Sequence, residues 1–328
     1  MIPLSPAAYV PPLHVTDLAV DSRIGDTEGF SGWEPGSGRR MTPIHDTTTF
    51  ELAGGYEIRR LGYGAMQLTG DGVWGEPSDP VTAKQVLRRA VELGVNFFDT
   101  ADSYGPEVSE RLIGEALTPY PDDVVIATKA GLVRPGPGRW EPNGSPTHLR
   151  TSCDTSLARL QIDRIPLFQL HRIDPDVPVE ESIGALLELR ESGKIDQIGV
   201  SEVSVDELRQ VRELCDVASV QNRFSIADQD EWSDVVDACA ADGIAFIPWF
   251  PLGSGDLGAT GDALDAVASA HDTDRYAVAL AWLLHRAPNV VPIPGTKSLE
   301  HLESNVSAAH LVDEITDDEW AELDSAAG

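Results

Sequence analysis

Short apolar, β-branched runs recur along this chain with helical patterns between them, and that alternation restricts the fold more than any other feature. The runs fall near 58–62, 95–98, 124–128, 166–170, 195–200, 217–221, 244–249 and 290–293. Rich in Val, Ile, Leu and Phe, each looks like a strand buried in a parallel sheet. Lys84–Leu93 shows the other period. Its Val86, Leu87, Ala90, Val91 and Leu93 make one apolar face, and Gly94 follows where a helix-ending glycine belongs. Similar helical patterns cover 107–117, 147–160, 179–192, 205–214, 229–242 and 274–286, and the tail after residue 312 reads as helical around Trp320.

Eight strands alternating with helices is the count of a (β/α)8 TIM barrel. An open doubly wound sheet fits less well, because no early strand is followed by a glycine-rich phosphate loop. The late segment Gly253-Ser254-Gly255-Asp256-Leu257-Gly258 matches GxGxxG, yet only one strand remains after it, too few for a dinucleotide-binding half. The 328 residues hold a barrel of roughly 250 residues plus extensions. Residues 1–50, rich in Pro, Gly, Asp and Thr, are expected to form a disordered N-terminal extension, and 51–328 the barrel domain. Met41, just ahead of the ordered pattern, is a candidate start of translation.

The net charge of −30, from 54 acidic against 24 basic residues, argues against nucleic acid as a partner and against an anionic membrane surface. Only Lys84, Lys129, Lys194 and Lys297 are lysines. The acidity fits either an ordinary acidic cytosolic protein or one adapted to molar salt, where screening removes self-repulsion; the scarcity of lysine favours the second. Cys153, Cys215 and Cys239 are scattered without metal-ligand spacing and read as buried thiols in a reducing cytoplasm. No apolar stretch approaches the roughly 18 residues that would span a bilayer. Arg39-Arg40 is followed by no apolar core, so it is not a twin-arginine signal.

Asp99, Lys129 and His171 each stand at the C-terminal end of an apolar run, and Tyr104 lies in the loop after Asp99. Strand C-termini of a parallel barrel open on one face, where side chains from separate strands can meet. A tyrosine beside a lysine, with a carboxylate and an imidazole nearby, suits protonation of a carbonyl oxygen. The segments around these residues continue in order with Leu61-Gly62-Tyr63-Gly64-Ala65-Met66, Phe98-Asp99-Thr100-Ala101-Asp102-Ser103-Tyr104-Gly105, Ala127-Thr128-Lys129, Gln169-Leu170-His171, Gly199-Val200-Ser201, Val220-Gln221-Asn222, Pro251-Leu252-Gly253-Ser254-Gly255 and Ile293-Pro294-Gly295-Thr296-Lys297. From about residue 56 to about residue 310 the chain thereby resembles the aldo-keto reductase superfamily of nicotinamide-dependent carbonyl reductases.

The resemblance implies a catalytic tetrad of Asp99, Tyr104, Lys129 and His171. Tyr104 would be the general acid; a free phenol, with a pKa of about 10, is a poor one at neutral pH. Lys129 would lower it, Asp99 would hold Lys129 charged, and His171 would orient the carbonyl. Among cofactor positions, Ser201 and Gln221 match holders of the nicotinamide carboxamide, and Trp249 the aromatic stacked on its ring. Leu252, Gly253 and Ser254 match the loop over the pyrophosphate, and Gly295, Thr296, Lys297 and Asn305 the adenosine end. Two departures stand out: Glu202 where many relatives carry Asn, and His301 where many carry Arg. Lys297 still favours a 2′-phosphate, hence NADPH over NADH. Tyr63, Trp74, Trp140 in the Pro/Gly-rich loop 131–146, and Phe250 are candidate walls of an apolar pocket for a small-molecule carbonyl substrate. A nicotinamide-sensing regulatory subunit that turns over slowly is the competing reading. A metal-dependent barrel hydrolase or isomerase ranks last, since no His-x-His pair or converging carboxylate cluster at strand ends supports a metal.

Overall fold

The computed structural model describes residue 44 and residues 49–229, 231–255 and 257–327. Most of the expected N-terminal extension, with Met41, lies outside them. Two strands, β1 (Thr49–Leu52) and β2 (Tyr56–Arg59), form an antiparallel hairpin. Seven further strands make one parallel sheet: β3 (Tyr63–Gly64), β4 (Phe97–Asp99), β5 (Val125–Ala130), β8 (Ile165–Leu170), β9 (Ile195–Ser201), β10 (Ser219–Gln221) and β11 (Ala245–Phe246). They neighbour one another in that order, as consecutive right-handed strand–helix units require.

The eighth strand position is filled by residues 290–294. Val291 N–H bonds to Phe246 O at 2.8 Å, Gly62 N–H to Pro292 O at 2.9 Å, and Gly64 N–H to Pro294 O at 3.3 Å. The ladder is one-sided toward β3 because Pro292 and Pro294 have no N–H to return. Closure also needs backbones to touch: a Cβ on Gly64 would sit 2.5 Å from Ile293 O, and one on Gly295 2.4 Å from Gly64 O. Only glycine permits that approach. The result is a closed (β/α)8 barrel.

Helices α1 (Pro80–Glu92), α2 (Val108–Leu117), α3 (Pro146–Leu160), α4 (Val179–Glu191), α5 (Val205–Arg212), α6 (Ser233–Asp242), α7 (Gly261–Ala270), α8 (Arg275–Arg286), α9 (Leu299–Leu311) and α10 (Asp317–Ala327) surround it. Sequence signals set several starts: Asp79 accepts from Val81 and Thr82 N–H ahead of α1, and Ser204 with Glu207 forms a capping box on α5. Strand side chains alternate between two layers. Phe97, Val125, Ala127, Leu167, Ala245, Ile247, Val291 and Ile293 pack together inside the barrel with Leu52 and Ile58 of the N-terminal hairpin. Phe98, Ile126, Phe168 and Leu170 face the helices instead.

Four sequence expectations change. Of the run at 58–62, only Ile58 and Arg59 are strand, at the end of the hairpin strand β2; the barrel strand β3 starts after it, at Tyr63. Loop 131–146 contains an antiparallel hairpin, β6 (Leu132–Gly136) and β7 (Arg139–Pro142), with a register irregularity between Val133 and Gly136. Helices α7 and α9 were not expected. Tyr63 is no pocket wall: it is 1% exposed, packs against Phe98 at 5.9 Å between sheet and helices, and donates to Thr296 O at 2.6 Å. Among the described residues no helix is long and apolar enough to cross a membrane.

Candidate active site

The two-residue period of the strands decides which side chains reach the barrel axis. Counting from Phe97, inside, the next inward position on β4 is Asp99. From Val125 and Ala127 on β5 it is Lys129. From Leu167 on β8 come Gln169 and then His171. These polar residues therefore sit one layer above the apolar plug, at the C-terminal mouth.

Lys129 is fully buried, and its Nζ donates to Asp99 Oδ1 at 2.6 Å, to Thr100 O at 2.8 Å and to Tyr104 Oη at 3.4 Å. The other Asp99 oxygen accepts from Gln169 Nε2 at 3.2 Å and from Gln221 Nε2 at 2.9 Å. The carboxylate is thus held on both sides, and Gln221, matched above to the carboxamide, gives its amide N–H to Asp99. Tyr104 and His171 are each 6% exposed, with ring centroids 5.9 Å apart and planes at 81°. Ser103 Oγ lies 3.4 Å from His171 Nδ1.

Burial pushes the Tyr104 phenol up; Lys129 pulls it down, Asp99 adds to the rise, and the net direction is upward. The sequence expectation of a lowered phenol is not met in the protein alone, because desolvation outweighs the ammonium. Burial opposes charge on Lys129 too, but Asp99 and Tyr104 outweigh it, so its pKa is raised. His171 is held well below the ordinary imidazole range by burial, then by the positive charges of Lys129, Arg172 and Arg134. It is neutral at pH 7.

Ser201, 1% exposed at the end of β9, accepts at Oγ from Arg172 Nη1 at 3.2 Å, which leaves its own proton free. Glu202 adopts φ +55, and its Oε1 accepts from Trp249 Nε1 at 2.5 Å and from Arg223 N–H at 2.8 Å. Its other oxygen lies 3.9 Å from Arg172 Nη2. Trp249 is half-buried and packs against Phe250, which has φ +62 and lies under the Arg223 guanidinium at 5.0 Å. Leu252 rests partly buried on the main core, and Gly253 and Ser254 fall in a 3₁₀ turn, Gly253–Gly255. Gly295 meets Gly64 as described. Thr296 and Asn305 are buried, and exposed Lys297 bonds to Thr69 O at 3.2 Å. Trp74 and Trp140 are half-buried at the rim, Trp140 standing 6.3 Å from Tyr104 and 6.4 Å from His171.

Sequence reasoning missed Gln169, Ser103, Arg134 and Arg172. Gln169 shares the inward parity of Leu167 and His171, so the alternation could have found it. Arg134 carries no such signal.

Over residues 60–327 the chain matches the model of the Aldo/keto reductase family. An uncharacterized oxidoreductase of Schizosaccharomyces pombe is 46% identical over 267 residues, covering 81% of this chain and 86% of that protein. Pyridoxine 4-dehydrogenase of Escherichia coli is 41% identical over 277 residues, covering 82% of this chain and 96% of that one. Among solved structures, an aldo-keto reductase from Klebsiella pneumoniae in complex with NADPH superposes with a TM-score of 0.74 at 24% identity, covering 85% of this chain and 94% of that chain. This last likeness is one of fold.

Proposed function

The chain belongs to the aldo/keto reductase family, and on that premise we propose that it is an NADPH-dependent reductase of aldehydes or ketones in which Tyr104 gives the proton. The observation that carries this reading is the buried Lys129 ammonium, 2.6 Å from Asp99 and 3.4 Å from the Tyr104 hydroxyl. A raised phenol pKa keeps Tyr104 protonated at neutral pH, so the acid is loaded before substrate arrives. When its proton passes to the carbonyl oxygen, the phenolate left behind faces an ammonium that favours it. Asp99, fixed by Gln169 and Gln221, keeps that ammonium charged and in place. His171 is neutral, and the tautomer that accepts from Ser103 at Nδ1 is the one that presents Nε2–H to orient the carbonyl.

A bound nicotinamide cofactor would supply the reducing hydride. The donor set fits one. Ser201 keeps a free hydroxyl proton and Gln221 a free carbonyl oxygen for a carboxamide, and Trp249 offers a flat ring. At Gly253, with φ +57, an added Cβ would meet nothing within 4 Å, so the backbone is open to approach. Lys297 and the N-terminus of α9, capped by Ser298, suit the phosphate of NADPH. The NADPH bound to the Klebsiella pneumoniae protein supports this preference. The Escherichia coli relative's name adds pyridoxal to the substrates worth trying. Free, buried Cys153, Cys215 and Cys239 fit a reducing cytoplasm, and the charge of −30 fits adaptation to molar salt.

The test is loss of NADPH absorbance with aromatic and aliphatic aldehydes in about 2 M KCl, where charge repulsion is screened. Turnover is expected in the natural protein and should vanish in Tyr104→Phe while NADPH still binds. Activity surviving in Tyr104→Phe would sink the assignment of the acid; tight NADPH binding without turnover of any aldehyde would favour the sensor.

A further inference from the structure

Arg134, on β6, spends its donors on backbone rather than on a carboxylate. Nε gives to Arg139 O at 3.0 Å, Nη1 to Val73 O at 2.8 Å and Ser103 O at 3.1 Å, and Nη2 to Gly72 O at 3.1 Å. Those carbonyls belong to three separate segments: the loop after β3, the loop after β4 that carries Tyr104, and the β6–β7 hairpin. The guanidinium carbon also lies 3.6 Å from the centroid of Trp140 and 5.5 Å from that of Trp74. One planar cation therefore holds both rim tryptophans and ties the hairpin to the catalytic loop.

The tie holds strained backbone. Val73 is β-branched and sits at φ +56, a conformation such residues rarely adopt unless their surroundings fix it. Its carbonyl is gripped by Arg134 and by Gly105 N–H at 3.3 Å. The consequence lands on the reacting groups. Tyr104, His171 and Trp140 stand at 70–81° to one another with centroids 5.9–6.4 Å apart, so Trp140 forms an aromatic wall beside the proton donor. Lysine could supply the charge here but neither the fork of donors nor the stacking plane.

We infer that Arg134 is a positioning residue that fixes Trp140 and Trp74 as the substrate wall, and that this wall selects planar aromatic or heteroaromatic carbonyl compounds over aliphatic ones. The inference rests on the reductase reading and names the substrate class of that site. Aromatic pairing of the kind the wall offers corresponds to about two- to tenfold in affinity.

The experiment compares Arg134→Lys and Arg134→Met with the natural protein, using 4-nitrobenzaldehyde, pyridoxal and propanal. In both variants KM for the aromatic aldehydes should rise by about tenfold, more than kcat falls and more than KM rises for propanal. NADPH binding, followed by fluorescence, should hold, and hydrogen exchange should quicken in residues 70–75 and 132–143. Equal losses on aromatic and aliphatic substrates, or unchanged exchange in both segments, would overturn the inference. Should the natural protein turn over no aldehyde, the reductase reading falls separately. Tryptophan quenching by the same aldehydes then replaces KM: aromatic binding weakened by the variants supports the wall, and equal binding refutes it.

Discussion

Replacing Lys129 by methionine should remove more stability than almost any other single change in this barrel. Methionine keeps most of the stem but removes the ammonium, leaving the Asp99 carboxylate, 2% exposed, with only the amide donors of Gln169 and Gln221. Stripping one partner from a buried ion pair costs about 3–5 kcal/mol, because the survivor stays desolvated without its counter-charge. Against a total stability of about 5–15 kcal/mol that is a large fraction. At roughly 2–4 °C per kcal/mol, Tm should fall by about 6–20 °C. Asp99→Asn should cost a similar amount by stranding the ammonium. The double variant Asp99→Asn with Lys129→Met, with both charges gone, should lose much less than the sum. Urea unfolding of the four proteins, followed by circular dichroism, gives the coupling energy, expected near 3 kcal/mol or more in magnitude (about half the summed losses). Lys129 is fully buried, so the coupling should be the same in about 0.5 M and 2 M KCl. A Lys129→Met loss below about 1 kcal/mol, the level of an exposed pair, would refute the reasoning.

Asp102 offers a pH test: burial, with help from Glu110 and against Ser152 and Arg159, pushes its carboxyl from the ordinary 3.8 to about 7. The fold keeps this proton while the unfolded chain loses it, so stability falls as pH rises between those values. Asp102→Asn should therefore gain up to about 4 kcal/mol over its parent at pH 8 and little at pH 4, and a gain in Tm that is constant across pH would contradict this. Glu202→Ala removes the acceptor for Trp249 and Arg223 and should weaken NADPH binding by about tenfold, whereas Glu202→Gln keeps that acceptor and should bind nearly as the parent. Equal affinities in a fluorescence titration of the two variants would show that Trp249 needs no such support. Dialysis below about 0.5 M salt should cost the protein structure, read by circular dichroism, and NADPH association in stopped flow should quicken as salt rises; unchanged ellipticity and a falling rate would each count against the charge argument.

The alternation of apolar runs with helical patterns made the barrel legible, and position at the C-terminal ends of those runs singled out Asp99, Lys129 and His171; the two-residue period of the observed strands is what turns them inward. Tyr63 shows the limit of reading residue type without parity. Gly62 and Gly64 take the inward positions of that short strand, so the tyrosine between them faces the helices. Closure at 290–294 was legible as an apolar run, but prolines at 292 and 294 made it irregular. The hairpin 132–142 was hidden by Pro135, Gly136, Pro137 and Gly138, which read as an unstructured loop although the first two end β6 and the last two form the turn. Arg134 was illegible for a different reason. Its partners are backbone carbonyls of residues 72, 73, 103 and 139, and no sequence pattern announces which carbonyls a guanidinium will reach.

Charge ties the site to the rest of the molecule. A protein at −30 repels a polyphosphate cofactor at long range, yet Lys129, Arg134 and Arg172 all act on His171 at the barrel mouth. The two effects have different reach. The Debye length shrinks from about 30 Å at 0.01 M to about 3 Å at 1 M salt, so salt erases the far field of the carboxylates first. Contacts at hydrogen-bond distance, such as Arg172 to Ser201 at 3.2 Å, survive that screening. Raising salt should then help an anionic ligand reach this site, the reverse of ordinary electrostatic steering by a basic cleft. The few lysines fit the same logic. Lys129 is buried beyond the reach of salt, and Lys297, exposed and bonded to Thr69 O at 3.2 Å, stands where the phosphate end of the cofactor is proposed to bind.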